Sequence, residues 1–269
     1  HVDYKLEPNI KTSPGGLRDI QTTLWVCSRR YGSTNIDQLV TLGVLSTSEA
    51  RWLNDGRRFL WWVRYGLHSL AGRKEDQLHF ARQRELSQRL GFVDTESKSA
   101  VELFMQHYYR HVMALSDVND IVLQHFEEDI TAKKRASLER LNERFCLINR
   151  RIDITEPDVF LRNPSAMLEM FFLMAQREEN IHVRVRTIRA LREAIHLIDD
   201  GFRSDQENCR LFLSILKSPY TVVTQLTLMR RYGVLGRYLP AFGEIVGQMQ
   251  HDLFHIYTVD AHTMMVIRN

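Results

Sequence analysis

The chain has 269 residues, 44% of them hydrophobic and 26% charged, and Lys plus Arg 36 against Asp plus Glu 33 leaves a net charge of +3. That excess is too small to argue for a nucleic-acid partner, and no apolar run approaches the roughly 20 residues that cross a bilayer. Cys27, Cys146 and Cys209 lie far apart without a paired spacing, which reads as reduced, mostly buried thiols of a cytoplasmic protein rather than a disulfide framework.

Val2, Tyr4 and Leu6 alternate with Asp3, Lys5 and Glu7, the period of a strand with its three charged side chains on one face. Pro8 and Pro14 stop the extended run, and Gly15-Gly16 lets the backbone turn closely or take positive φ. From Leu17 the apolar positions Ile20, Leu24, Cys27 and Tyr31 keep helical spacing up to Gly32. Carboxylates on a strand, a glycine turn and a helix opening with Arg18 and Asp19 suit the edge of a phosphate or metal site. On spacing alone an ordinary strand-to-helix connection is the favoured reading, because a bare Gly-Gly is a weak signal.

Residues 35–41 read as a short helix. Ser46 with Glu49 three residues on is a capping box, and the helix it opens runs to Gly72. Trp52, Phe59, Val63 and Leu67 can share its inner face, with Arg51, Arg57, Arg58 and Arg64 elsewhere. Aromatics among arginines could clamp a nucleotide, or form a core with a solvated flank. Residues 78–91 form a short amphipathic helix. The longest helical pattern runs over about 97–126, with His107 and His111 four apart, a spacing that holds either a metal or a structural pair.

From Glu127 to Asn149 the composition turns polar and basic, with Lys133, Lys134 and Arg135, and the weakest joint falls there. Thr155 and Asn163 are positioned to cap helices whose first turns hold Pro157 and Pro164. Met167–Met174 is apolar nearly all round and therefore buried. A helix with Val185, Ile188, Leu191 and Ile195 inward follows; another begins at Ser204, and another spans Thr221–Arg231. Residue patterns alone therefore predict an all-helical body with one strand at its N-terminal edge.

Two segments carry a resemblance. Residues 7–22, EPNIKTSPGGLRDIQT, resemble the segment after the catalytic strands in the bacterial bifunctional uridylyltransferase/uridylyl-removing enzymes that modify the PII signal protein. Residues 236–263, ending in Val259-Asp260-Ala261-His262-Thr263, resemble the entry to those enzymes' HD-type phosphohydrolase domain. The resemblance implies a mainly α fold: the edge of a nucleotidyltransferase domain over 1–32, a helical domain over 33–130, a helical region over 131–240 and the start of an HD domain over 241–269. It implies Mg²⁺ or Mn²⁺ held by carboxylates in the full enzyme, with Glu7 as the third carboxylate and Asp3 in reserve. Gly15, Gly16, Arg18 and Asp19 would then shape the nucleotide edge, and His262 would be the first metal ligand of the HD domain. His251-Asp252 precedes the first-His motif, so it is not the expected later dyad, and His255 fits an ordinary turn histidine.

The implied substrates and partners are UTP or UMP and the PII protein, with glutamine as effector through domains outside this chain. No nucleic acid or membrane is implied. The chain opens without Met and stops inside an apolar-periodic run, so a piece of a longer enzyme, inactive alone, is expected. The other readings are an adenylyltransferase of glutamine synthetase and a non-catalytic helical interaction module.

Overall fold

The computed structural model describes residues 5–131, 137–249 and 257–268. The readings on Val2, Asp3 and Tyr4, on Lys133, Lys134 and Arg135, and on His251-Asp252 and His255 lie outside those residues. The chain divides into two compact units, one of residues 1–126 with 245–265 and one of 127–244 with 266–269.

Helices build the first unit: α1 (Leu17–Tyr31), α2 (Ile36–Thr41), α3 (Thr47–Ala71), α4 (Phe80–Arg89) and α5 (Ala100–Thr131), the last turn of which belongs to the second unit. Local signals placed these well. Asn35 caps α2 by accepting from Gln38 N, and Ser46 and Glu49 form the capping box of α3, which ends on left-handed Gly72. The expected aromatic face is inward, with Phe59, Leu60, Val63 and Leu67 buried against Phe104, Tyr108, Val112 and Leu115 of α5. Burying such side chains stabilises by about 1.5–3 kcal/mol each. Trp61, Trp62 and Tyr65 remain largely exposed.

The expected N-terminal strand is corrected over the described residues. Lys5 pairs with Tyr257, and Asn9 with Gln77, only as isolated antiparallel bridges. Pro8 has no N–H to give a ladder, and side chains take up the carbonyls between: Gln83 Nε2 donates to Leu6 O at 2.7 Å, and Gln77 Nε2 donates to Glu7 O. The segment is an extended strap tied to residues 76–83.

The all-helical expectation is also corrected, in the second unit. Its strands β1 (Leu138–Arg140), β2 (Phe145–Ile148), β3 (Arg151–Ile154) and β4 (His182–Val183) form one sheet in that order, antiparallel except for the β3–β4 pair. Asn149 and Arg150, at φ 50° and 62°, make the two-residue hairpin loop between β2 and β3. Helix α6 (Val159–Arg162) packs on α7 (Ala166–Ala175) and α8 (Val185–Ala194), and α8 packs on β3; α9 (Asp200–Ser204), α10 (Gln206–Leu216), α11 (Val222–Arg231), α12 (Val234–Tyr238) and α13 (Pro240–Ile245) follow. As expected, α7 is buried nearly all round, and its Glu169 is held by Arg144 at 2.7 and 2.9 Å.

Three expected caps are corrected as well. Thr155 Oγ1 donates to Glu143 O and Arg144 O instead of capping α6. Asn163 ends α6, and its carbonyl accepts from Ala166 N. Ser204 ends α9, while Asp205 caps α10 by accepting from Asn208 N.

Asp153 on β3 is fully buried and ties the sheet to α8. It accepts from Arg184 Nη1 at 3.0 Å, Arg186 Nε at 2.8 Å, Thr187 Oγ1 at 2.9 Å and Ile154 N at 3.0 Å. Arg184 and Arg186 keep access to solvent, so removing Asp153 strands chiefly the buried Thr187 hydroxyl, at about 1–3 kcal/mol. Asp153→Ala should therefore destabilise the second unit by about that amount, seen as faster amide hydrogen exchange over 145–154. Unchanged exchange there would show the network to be dispensable. The last helix, α14 (Val259–Arg268), begins in the first unit, where Asp260 is buried and accepts from Gly247 N at 3.1 Å.

Candidate functional sites

The glycine turn is built as a closed knot. Asn9 Oδ1 accepts from Lys11 N and Thr12 N, and Asn9 N donates to Ser13 Oγ at 2.8 Å. Gly15 takes a left-handed φ of 72°, and a Cβ placed there would stand 1.8 Å from Val112 O on the α5 backbone. Glycine is thus required by both conformation and space. Gly16 is the N-cap of α1 and is closed in by Ser13 O, Ile10 O and Lys11 O.

The backbone donors of the turn are spent internally. Gly15 N donates to Asp19 Oδ2 at 2.7 Å, Gly16 N to Ser13 O, Leu17 N to Ile10 O, Arg18 N to Lys11 O and Asp19 N to Gly16 O. An open helix N-terminus holds phosphate through free N–H groups; here those groups are taken by the turn itself, while the Arg18 side chain is exposed. Burial raises the Asp19 pKa and the nearby Asp120 adds to it, while the Gly15 N–H bond and Arg18 pull the other way. Beside the turn lies a cavity of about 240 Å³ lined by Lys5, Pro8, Thr12, Ser13, Pro14, Tyr108 and Val112. Only the turn half of this lining was visible in sequence, because the α5 half is contributed from some hundred residues away.

Glu7 sits on the strap between the turn and α4. Its Oε1 accepts from Phe80 N at 2.7 Å and lies 3.5 Å from His79 Nδ1, so it caps the N-terminus of α4 from a distant part of the chain. Its side chain is 38% exposed, which leaves the carboxylate within reach of solvent. Among the described residues, no three His, Cys, Asp or Glu side chains come together as a metal-binding group. His262 lies on the first turn of α14, exposed, with its N–H bonded to Thr258 O at 2.9 Å. It is not brought near Glu7 by any described contact.

A mainly helical protein, with a small sheet in one unit and a sealed glycine turn packed on the long helix of the other, is the class that this architecture defines. A family model described as GlnD PII-uridylyltransferase matches residues 1–123, and one described as the uridylyltransferase GlnD third domain matches residues 145–238. The bifunctional uridylyltransferase/uridylyl-removing enzymes of Pseudomonas aeruginosa (strain LESB58) and Pseudomonas putida (strain GB-1) are each 54% identical over 269 residues. That of Pseudomonas syringae pv. tomato is 52% identical over 268 residues. Each match takes in 100% of this chain and 30% of the relative. No solved structure matches. The chain belongs to the GlnD uridylyltransferase family and spans about 30% of the length of the curated relatives it matches.

Proposed function

We propose that the protein containing this chain transfers UMP from UTP to a tyrosine of a PII-type signal protein and removes it again by hydrolysis, with glutamine favouring removal. The observation that carries this reading is similarity along the whole chain, 54% over 269 residues, to enzymes named for both activities. On this reading residues 1–32 close the nucleotidyltransferase domain, 33–130 and 131–240 are helical regions behind it, and 241–269 open an HD-type domain. The protein works in the cytoplasm.

Glu7 supplies one hard oxygen toward Mg²⁺ or Mn²⁺. The capping bond to Phe80 uses Oε1, and the second carboxylate oxygen suits such a cation. The ion, when bound, neutralises the triphosphate during in-line attack. Gly15 and Gly16 let α1 lie against α5, Asp19 locks the turn, and Arg18 reaches toward phosphate. For removal, His262 is the first ligand of the HD-domain metal.

His262 offers a clean test because its side chain is exposed, so truncation leaves the packing of α14 intact. In the full-length enzyme His262→Ala should abolish release of UMP from the modified PII protein and leave UMP transfer within about twofold. A loss this selective is what removal of a metal ligand from one of two active sites produces. Surviving release with normal metal content would remove His262 from the metal site.

A further inference from the structure

We propose that His107 and His111 form a two-imidazole site for a divalent transition-metal ion of the Cu²⁺ or Ni²⁺ type, separate from the residues assigned above. The pair lies four residues apart on α5, with Nε2 to Nε2 at 3.0 Å. It opens onto a shallow cavity of about 560 Å³ lined also by Asp55, Arg58, Phe59 and Trp62 of α3.

The separation chooses the ion. With metal–nitrogen bonds of ~2.1 Å, two nitrogens 3.0 Å apart subtend about 90° at the metal, whereas a tetrahedral centre would hold them ~3.4 Å apart. Right angles between imidazoles belong to square-planar and octahedral centres, and the order of affinities among divalent ions favours Cu²⁺ and Ni²⁺ there. Mg²⁺ prefers oxygen ligands and is excluded by the donor set.

The rings are also prepared for a ligand role. Phe59 stacks on His111 with centroids 4.6 Å apart and meets His107 edge-on at 4.9 Å, which holds both rings on one side of α5. Burial lowers both imidazole pKa values; for His111, to which His107 also contributes, the value falls to about 4. Both rings are then neutral at pH 7. One Nε2–H now points at the other Nε2 lone pair. Metal binding moves that proton to Nδ1 of the same ring, so both Nε2 lone pairs face the ion and no net proton is released. The required ring rotation is about χ2, which is a soft torsion for histidine. Asp55 brings a negative charge to the same cavity, shared with Arg58 at 2.8 Å, and the remaining coordination positions are open to water.

The test titrates CuCl₂ and NiCl₂ into the full chain and into its His107→Gln and His107→Asn/His111→Asn variants by calorimetry, with Cu²⁺ electron paramagnetic resonance alongside. The expected result is one equivalent of each ion bound at least tenfold more weakly by both variants, a spectrum with two imidazole nitrogens in the unsubstituted chain, and no difference in MgCl₂. His107→Gln decides the matter if the double variant does not fold, because His107 keeps an exposed edge, meets Phe59 and Phe92 only edge-on, and is replaced by a polar side chain of similar reach. Equal stoichiometry and affinity in the chain and His107→Gln, or a spectrum without paired imidazole nitrogens, overturns the site.

Discussion

Gly15→Ala should cost the first unit several kcal/mol, far more than the same change at Gly32. Both glycines are left-handed, at φ 72° and 73°, so each substitution carries the ~1–2 kcal/mol penalty of an L side chain in that region. They differ in space. A Cβ at Gly32 meets nothing within 4 Å, whereas one at Gly15 stands 1.8 Å from Val112 O, 2.6 Å from Val112 C and 2.8 Å from Val112 Cα. Those are backbone atoms in the middle of α5, which cannot swing aside as a side chain can. Relief requires α1 and its turn to lift from α5, exposing Ile10, Leu17 and Ile20, all buried. Overpacking of this kind adds about 1–3 kcal/mol or more, and the total is a large part of the roughly 5–15 kcal/mol that stabilises a domain. Urea unfolding of the two variants in parallel measures the difference directly. Equal midpoints would mean that the turn does not approach α5 so closely, and that its glycines serve only as a connector.

The contrast between those glycines also shows what the sequence could and could not carry. Left-handed stops at Gly32 and Gly72, the capping box at Ser46 and the inner faces of α3 and α5 follow from residues within a few positions of one another, and they were legible. The close approach of Gly15 to Val112 joins positions nearly a hundred residues apart, and no local pattern encodes it. The same limit hid the sheet. Its strands are two to four residues long, too short for alternation to stand out, and its hairpin turns on Asn149-Arg150 where Asn-Gly would have been the plain signal. Arg150 holds its left-handed φ because the pairing of Ile148 with Arg151 and the bond from Ser137 N to Asn149 Oδ1 fix the loop from both sides. The misplaced caps arose otherwise. Thr155, Asn163 and Ser204 are reasonable cap residues by type, but tertiary partners claim Thr155, and aspartates just before the first turns serve α9 and α10. At the site, the residue types of the glycine turn could be named from sequence, whereas the consumption of its N–H groups by Ile10, Lys11 and Ser13 could not.

Glu7→Gln in the full-length enzyme should separate a chemical role for this residue from the structural one now visible. Glu7 Oε1 accepts the Phe80 N–H at 2.7 Å and so caps α4. A glutamine keeps a side-chain carbonyl of the same reach, so the cap bond survives. What is lost is the negative charge at a helix N-terminus, worth about 0.3–1 kcal/mol where exposed, and any hold on a divalent cation. Stability should fall by less than about 1 kcal/mol. UMP transfer should fall about 100-fold or more, equivalent to ~2.7 kcal/mol of transition-state stabilisation, because an amide is a poor replacement for a carboxylate on a hard ion. UMP removal, which the proposal assigns to a separate HD-type site, should not change. Glu7→Ala sets the scale of the structural contribution: it removes the cap as well, at about 1 kcal/mol more, and should lower the unfolding midpoint further than Gln does. If Gln spares transfer while Ala lowers stability, Glu7 is an anchor for α4 and the third carboxylate lies elsewhere. If Gln abolishes transfer with the midpoint and UMP removal unchanged, the strap that holds α4 also carries a metal ligand.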